Sequence, residues 1–116
     1  MNASMLVFKI FRRPEWDAFR DAGVTAGAPV DLADGYIHLS TASQVAQTAE
    51  RHFGGQSDLV LVAVQPDRLG PLLKWEPSRG GALFPHLYRW LTLADVVWDK
   101  SLPLGATGHI FPEGLW

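Results

Sequence analysis

The chain has no cysteine, no block of basic residues and no long apolar run. Without cysteine, disulfides, thiolate nucleophiles and cysteine-ligated zinc are all excluded, and the redox compartment stays open. Ten lysines and arginines against twelve acidic residues give a net charge of −2. That balance lacks the electrostatic footprint of a protein that wraps duplex nucleic acid, so no duplex nucleic acid is expected as a partner.

The apolar segments are also too short for a membrane span or a secretion signal. The longest, Leu59–Val64, covers six residues, whereas a spanning helix needs about 20. Residues 1–10 lack the charged start and the long apolar region of a signal peptide. We therefore expect a cytoplasmic protein with no membrane partner.

What the chain does contain is an ordinary globular composition. It has 116 residues, of which 47% are hydrophobic and 19% charged. This length fits one hydrophobic core. We predict a single domain over 1–116, with the core at about 6–98 and a C-terminal tail at 104–116.

The periodicity of the apolar residues predicts an α+β fold with a mostly antiparallel β core and two main helices outside it. Gly23 should end the first helix, which Pro14 opens, and Gly54 should end the second. Apolar residues on both faces of 59–64 predict a central strand. The predicted strands cover 6–11, 36–40, 59–64, 72–76 and 93–98, the last as a strand or as a helix followed by a strand, and the predicted loops include 27–35 and 105–109.

The predicted strand at 36–40 is the first candidate site. Alternation places Tyr36, His38 and Ser40 on a polar face, while Ile37 and Leu39 face a core. Residues 41–44, beginning at Thr41, match a capping box, so the strand leads directly into a helix N-terminus that attracts anions. His38 is either part of a ligand site or a hydrogen-bonded structural histidine.

The segment at 76–88 is the second candidate. Arg79, Gly80 and Gly81 would cradle a phosphate through a guanidinium and free amides, or they form a plain surface turn. Phe84, Tyr88 and Trp75 would stack on a flat ligand ring or belong to the core, and for Trp75 we favour the core. His86 is predicted in a glycine-rich loop, and Glu76 is either a general base or a surface residue.

Two other chemistries fit less well. His38, His52 and His86 with Glu76 could hold a metal, but no pair has the spacing of common zinc sites, and no metal is expected. A serine hydrolase would use Ser40 or Ser78, and neither lies in a nucleophile-elbow motif.

Four segments together resemble the bacterial family filed as domain of unknown function 952, over about 6–98. The Tyr36 to Ser40 strand is also similar to the His-Leu-Ser strand of the RNA 2′-phosphotransferases, which have the ADP-ribosyltransferase fold. The segments that carry the family resemblance are DGYIHLST at 34–41, DLVL at 58–61, LKWEPSRGG at 73–81 and FPHLY at 84–88.

The second resemblance implies two small packed sheets with an NAD-sized cleft between them. It places the nicotinamide ribose near His38 and implies substitution at the ribose C1′, helped by a glutamate such as Glu76. The chain departs from that pattern in its first strand, where Lys9 stands and no His-Gly-Thr motif occurs.

From the residues and the resemblance together we expect an NAD- or nucleotide-dependent transferase or hydrolase of ADP-ribosyltransferase type. The alternative is a non-catalytic domain that binds a small anionic metabolite in the same cleft. In both cases the partner is a small, phosphorylated molecule. The expected catalytic residues are His38, Glu76 and His86, and the expected ligand-binding residues are Tyr36, Ser40, Thr41, Arg79, Gly80, Gly81, Phe84 and Tyr88.

Overall fold

The computed structural model describes residues 6–115 and contains three α-helices and eleven short or medium strands in that range. The helices are α1 (Arg13–Ala22), α2 (Pro29–Asp34) and α3 (Ala42–Phe53). The strands are β1 (Val7–Arg12), β2 (Val24–Thr25), β3 (Ile37–His38), β4 (Ser40–Thr41), β5 (Leu59–Val64), β6 (Leu73–Pro77), β7 (Leu83–Leu87), β8 (Leu91–Thr92), β9 (Val96–Leu102), β10 (Leu104–Gly105) and β11 (Gly108–His109).

The strands form two main antiparallel sheets and two small ribbons. The first sheet has the order β4-β1-β5-β9 and the second the order β3-β7-β6, while β2 pairs with β8 and β10 with β11. The predicted α+β class, with a mostly antiparallel core, is confirmed. Among residues 6–115, no helix combines the length and the apolar character needed to cross a membrane.

The two faces of β1 separate two apolar clusters, as alternation predicts. Val7 and Phe11 pack with Ile37 and Leu87 of the second sheet and with α1. Phe8 and Ile10, from the opposite face, pack against α3 and belong to the other cluster. The predicted central strand β5 is confirmed, because it lies between β1 and β9 and all six of its residues are buried.

Both main helices begin and end where the sequence signals predict. The amide of Gly23, at a φ of +82°, donates to the carbonyl of Phe19 and closes α1. At the start of α3, the side-chain oxygen of Gln44 accepts a hydrogen bond of 3.1 Å from the amide of Thr41. These caps fix the direction in which the chain enters each helix.

The segment at 36–41 is not one strand but two. β3 pairs with β7, and β4 pairs with β1. Between them, the amide of Leu39 donates to the carbonyl of Pro85. The prediction of a continuous strand is therefore wrong, because the chain passes from one sheet to the other at Leu39. Alternation survives the crossing, so Ile37 and Leu39 still face the same apolar cluster.

Three further predictions are corrected. Residues 27–35 contain α2, which Pro29 begins and Gly35 ends, so they are not a loop throughout. His86 lies in β7 and not in a loop, since β7 is the middle strand of its sheet despite Pro85. Trp75 is 46% exposed, so it is not a core residue.

The C-terminal part is more ordered than predicted. Residues 105–109, expected as a loop, belong to the hairpin of β10 and β11. Leu102, Phe111 and Leu115 pack in the cluster next to α3. Trp116, in the predicted C-terminal tail, lies outside the described residues.

Candidate functional site

A cavity of about 760 Å³ lies beside β1 and between α2, α3 and β7. Small-molecule sites in proteins commonly measure about 300–1,000 Å³. Its walls combine apolar and polar side chains. They are Phe8, Lys9, Ile10 and Arg12 of β1 with Glu15 of α1; Ala28, Pro29, Val30 and Asp34 at α2; His38, Leu39 and Ser40; Val45, Thr48, His52 and Phe53 of α3; and Ser78, Arg79, Phe84 and His86.

Asp31 of α2 anchors one wall of the cavity. Its side chain is buried and accepts four interactions. One oxygen accepts from the amide of Ala28 at 2.8 Å and contacts Nζ of Lys9 at 2.8 Å. The other accepts from the amide of His38 at 3.0 Å and from its Nδ1 at 2.6 Å. Asp31 therefore joins α2, β1 and β3 at a single carboxylate.

Asp31 stays ionised in this position. Burial by itself raises the pKa of Asp31, but the hydrogen bond from His38 and the charge of Lys9 outweigh burial and lower the pKa below its ordinary value. Gly27 leaves room for this arrangement. A Cβ on Gly27 would overlap the Asp31 side chain, and the φ of +107° at Gly27 disfavours other residues as well.

His38 lies between two carboxylates. Nδ1 contacts Asp31 at 2.6 Å, and Nε2 contacts Asp34 at 2.9 Å. Each ring nitrogen of His38 therefore lies against a carboxylate, and neither nitrogen is free for another partner in this geometry.

His86 contacts a single carboxylate. It is 3% exposed, and its Nδ1 lies 2.8 Å from Oε1 of Glu76. The hydroxyl of Tyr88 donates to the same oxygen at 2.7 Å. Tyr88 and His86 together lower the pKa of Glu76, and the hydrogen bond to Glu76 raises the pKa of Tyr88 to about 12. Glu76 is therefore a carboxylate and Tyr88 a neutral donor at neutral pH.

Tyr36 packs its ring against both histidines. Its centroid lies 4.6 Å from that of His38 and 4.2 Å from that of His86. Tyr88 is 5.2 Å away on the same stack. These contacts fix the orientation of the two imidazole rings. The centroids of the two rings are 5.6 Å apart. Tyr36 and Tyr88 line a separate, smaller hollow of about 290 Å³ and do not line the main cavity.

Arg79 brings a positive charge to the opposite wall. Its Nη2 donates to the hydroxyl of Thr48 at 3.2 Å, and its guanidinium lies 4.9 Å from the ring centre of Phe84. Within residues 6–115 it has no carboxylate partner, and its buried Nε has no hydrogen-bond partner. Burial lowers the pKa of Arg79, and the nearby charge of Arg51 lowers it further.

Ser40 completes this side of the cavity through Thr48. The Thr48 hydroxyl donates to the carbonyl of Gln44 at 3.2 Å and so has no second proton to give. Ser40, 3.0 Å away, must then donate to Thr48. The oxygen of Ser40 is left as an acceptor at the cavity.

The expected site residues divide into two groups. Five of them line the main cavity: His38, Ser40, Arg79, Phe84 and His86. Glu76 and Tyr88 lie behind His86, and Tyr36 packs on its ring. Thr41, Gly80 and Gly81 do not line it. The amide of Thr41 is bound to the side chain of Gln44, which caps the N-terminus of α3.

Sequence reasoning missed Asp31, Asp34 and Thr48. Asp31 and Asp34 fell in a segment read as a loop, although Pro29 with an acid two residues later is a helix-start signal. A lysine inside a buried strand, Lys9, also requires a carboxylate partner, and that requirement was the second available signal. Nothing in the sequence pairs Thr48 with Ser40 or Arg79.

The histidines are not arranged around a common metal position. Across residues 6–115, no group of three or more histidine, aspartate or glutamate side chains has the geometry to hold a metal ion. His52 lines the cavity on α3, and burial and the charge of Arg79 lower its pKa.

A family model described as "Protein of unknown function (DUF952)" matches residues 10–99. No curated protein matches the chain. The crystal structure of protein CC0527 from Caulobacter crescentus is similar, with 52% identity, coverage of 90% of this chain and 91% of that chain, and a TM-score of 0.86. Its solution NMR structure gives 51% identity, 90% coverage of both chains and a TM-score of 0.82. The chain therefore belongs to the DUF952 family of proteins of unknown function.

Proposed function

We propose that the cavity binds a small phosphorylated molecule and that the protein is an NAD- or nucleotide-dependent transferase or hydrolase of ADP-ribosyltransferase type. The observation that carries the binding proposal is the guanidinium of Arg79. It lines a cavity of ligand size, and no carboxylate neutralises it within residues 6–115.

The electrostatics on this wall favour an anion. Burial lowers the pKa of Arg79, and the charge of Arg51 lowers it further; burial and the charge of Arg79 likewise lower the pKa of His52. Like charges kept this close are destabilising until an anion lies between or beside them. A phosphate accepts hydrogen bonds from a guanidinium and relieves that repulsion.

The apolar part of the cavity suits the rest of such a molecule. Ile10, Val45 and Phe53 form one side, and Phe84 lies under Arg79. An aromatic ring bound there would remove apolar surface from water while the phosphate stays with Arg79. A nucleotide has both parts.

The enzyme proposal draws its support from the resemblance and from the two imidazoles. The resemblance to the ADP-ribosyltransferase fold implies a cleft between two small sheets, with the nicotinamide ribose near His38. In such a complex, Arg79 would bind the pyrophosphate of NAD, and His86 would lie near the reacting nicotinamide ribose. NAD supplies an ADP-ribosyl group with a leaving group already attached.

A second candidate function is a non-catalytic domain that binds a small anionic metabolite. One observation favours it. Asp31 and Asp34 contact the two ring nitrogens of His38, so neither nitrogen is available to a bound ligand while those contacts last. In that case the cavity binds but does not transform its ligand.

Calorimetric titration with NAD, ADP-ribose and AMP tests the binding proposal. We expect Arg79→Gln to raise the dissociation constant about tenfold or more, because a hydrogen bond to a charged group contributes about 1.5–3 kcal/mol. Arg20→Gln is the matched control, since Arg20 lies on the exposed side of α1. Equal binding by wild type and Arg79→Gln would remove the basis of the proposal.

Release of nicotinamide, followed by chromatography, separates the two candidates. Wild-type protein should release nicotinamide from NAD in the presence of water or an added acceptor. Binding of NAD with no release under any acceptor tested would leave the binding domain and reject the enzyme.

A further inference from the structure

His38 and His86 lie in one cavity wall, yet their nitrogens have different surroundings. Both nitrogens of His38 contact carboxylates. Within residues 6–115, His86 has a hydrogen-bond partner on Nδ1 alone, which is Glu76. Its Nε2 is not fully buried, and the His86 side chain lines the cavity. That nitrogen is therefore open to a molecule in the cavity.

The hydrogen bonds of Glu76 decide where the proton of His86 lies. Tyr88 and His86 both lower the pKa of Glu76, so its Oε1 only accepts. Tyr88 keeps its proton and donates, with a pKa of about 12. Nδ1 of His86 must then carry a proton in both the neutral and the charged ring. Any proton that His86 gains or loses passes through Nε2.

The ring of His86 is also held in orientation. Tyr36 stacks on it at 4.2 Å with a 30° angle between the planes. The other charged or titratable groups nearby are His38, at 5.6 Å between ring centres, and Lys74, which lies 6.0 Å from the ring of Tyr88. Because Nδ1 is bonded to Glu76 and Tyr36 fixes the plane of the ring, Nε2 can make a hydrogen bond in only one direction.

We infer that His86 is the proton acceptor of this site and that Glu76, held by Tyr88, is its positioning residue, an inference that rests on the proposed enzymatic function. A hydroxyl of the acceptor molecule, or water, gives its proton to Nε2. The O–H bond breaks, and its electron pair stays on the oxygen, which becomes the nucleophile. That oxygen bonds to C1′ of the ribose as the bond between C1′ and the nicotinamide nitrogen breaks, and the electron pair of the broken bond leaves with neutral nicotinamide. The carboxylate of Glu76 stabilises the imidazolium formed, and Nε2 then releases its proton to solvent.

The acceptor therefore belongs to a chemical class, the hydroxyl compounds and water. A carboxylate acceptor has no proton to give at neutral pH and would gain nothing from His86. His38 has a separate role in this scheme, because its contacts with Asp31 and Asp34 join β3 to α2.

Nitrogen NMR of the protein labelled with ¹⁵N-histidine tests the inference without any ligand. We expect neutral His86 to carry its proton on Nδ1. His109 is the internal reference, because its Nε2 donates to the carbonyl of Gln56 at 2.7 Å and it must show the opposite tautomer. Glu76→Ala should move His86 toward the Nε2–H tautomer, and Tyr88→Phe should retain Nδ1–H. A proton on Nε2 of neutral His86 in the wild type would overturn the inference.

Turnover tests the same inference in the assembled site. Glu76→Gln keeps an oxygen acceptor for Nδ1 and removes the charge. We expect kcat for NAD to fall about 10²-fold, in the range of general-base effects, with the dissociation constant of NAD nearly unchanged. Arg79→Gln should show the reverse pattern, a raised dissociation constant with a smaller change in kcat.

The outcomes separate this inference from the proposed function. Turnover that survives in both Glu76→Gln and His86→Gln overturns the role of His86 and leaves the enzyme proposal standing. Binding without turnover in the wild type overturns the role of His86 together with the enzyme proposal, while the binding domain remains. No binding of any phosphorylated ligand overturns the proposed function itself.

Discussion

Asp31 is the single residue on which most of the cavity wall depends. It is 1% exposed and interacts with Lys9, with the backbone amide and Nδ1 of His38 and with the amide of Ala28. Asp31→Asn should destabilise the protein by about 3–5 kcal/mol, because it leaves the ammonium of Lys9 buried without an opposite charge. Urea denaturation measures the change.

An exposed ion pair provides the control for this prediction. Arg13 and Asp58 lie 3.3 Å apart, but the side chain of Asp58 is largely in solvent. Asp58→Asn should change the free energy of unfolding by less than about 1 kcal/mol, and asparagine tolerates the positive φ of that position. Similar losses in both variants would contradict the role given to burial at Asp31.

The lowered pKa of Asp31 also predicts how stability depends on pH. A carboxyl group whose folded pKa lies below its unfolded value contributes stability that is complete above the unfolded value, 3.8 for Asp31. That contribution is lost as the pH falls through the folded pKa. Between about pH 5 and pH 2, wild type should therefore lose more stability than Asp31→Asn, as followed by thermal denaturation. Parallel curves for the two proteins would contradict the prediction.

The Asp31 side chain leaves no room for a larger residue at Gly27. Gly27→Ala should destabilise the protein by more than the roughly 1–2 kcal/mol cost of a positive φ, since its Cβ would overlap Asp31. Gly55→Ala is matched, because Gly55 has a φ of +76° and open space around it. An equal loss in the two variants would show that backbone strain alone limits position 27.

At the residue scale, the sequence predicted on which face of a strand a side chain lies, but it did not predict which residues that side chain contacts. Period-two alternation correctly placed His38 and Ser40 toward one space and Ile37 toward the core. It could not show that Asp31, seven residues earlier, reaches His38, or that Thr48 reaches Ser40. Such contacts depend on how helices pack against strands, which periodicity within one segment does not record.

At the element scale, the helices with clear end signals were predictable and the strand β7 was not. Pro85 argues against a middle strand, since proline has no amide to donate. In β7 its carbonyl still accepts from Leu39, and β6 and β3 flank it on both sides. A local rule about proline therefore failed because tertiary pairing supplied enough other hydrogen bonds.

Gln44 joins two elements of the cavity wall and gives a prediction at this scale. Its oxygen caps α3 at Thr41, and its amide nitrogen donates to the carbonyl of Leu83 at the start of β7, at 2.8 Å. Gln44→Ala should cost about 1–2 kcal/mol in urea denaturation, through the lost cap and the lost link.

Gln44→Glu distinguishes these two contributions. Glutamate keeps the cap and favours the helix N-terminus, but it cannot donate to Leu83. We expect Gln44→Glu to lower the free energy of unfolding, but by less than Gln44→Ala does. If Gln44→Glu is more stable than wild type by the full amount, about 0.3–1 kcal/mol, that a negative charge gains at a helix N-terminus, the link to β7 contributes nothing.

At the scale of the whole molecule, the cavity lies where two sheets and two helices meet, and the overall charge does not reveal its character. The chain has a net charge of −2, yet the basic side chains of Arg79 and His52 both line the cavity. Composition predicted one globular domain and gave no reason to expect duplex nucleic acid as a partner, but it averages over the local charges that a small ligand meets. Only the arrangement of the elements brings those charges together.

This local field predicts the salt dependence of binding. If a phosphate lies beside Arg79, raising the ionic strength should weaken binding of AMP, since screening acts on partly exposed charges. At a ligand concentration 100 times the dissociation constant, binding should add about 2.7 kcal/mol to the free energy of unfolding. Thermal denaturation with and without AMP, at low and high salt, measures both effects. If AMP stabilises the protein equally at low and high salt, the ligand site is apolar.

The crossing at Leu39 also has a consequence for folding. His38 is attached to one sheet and Ser40 to the other, and all their strand partners are distant in the chain. A partly folded chain with only one sheet formed would hold half of the cavity. Binding competence should therefore appear in the last cooperative step of folding, and the amide of Leu39 should exchange its hydrogen only when the entire molecule opens.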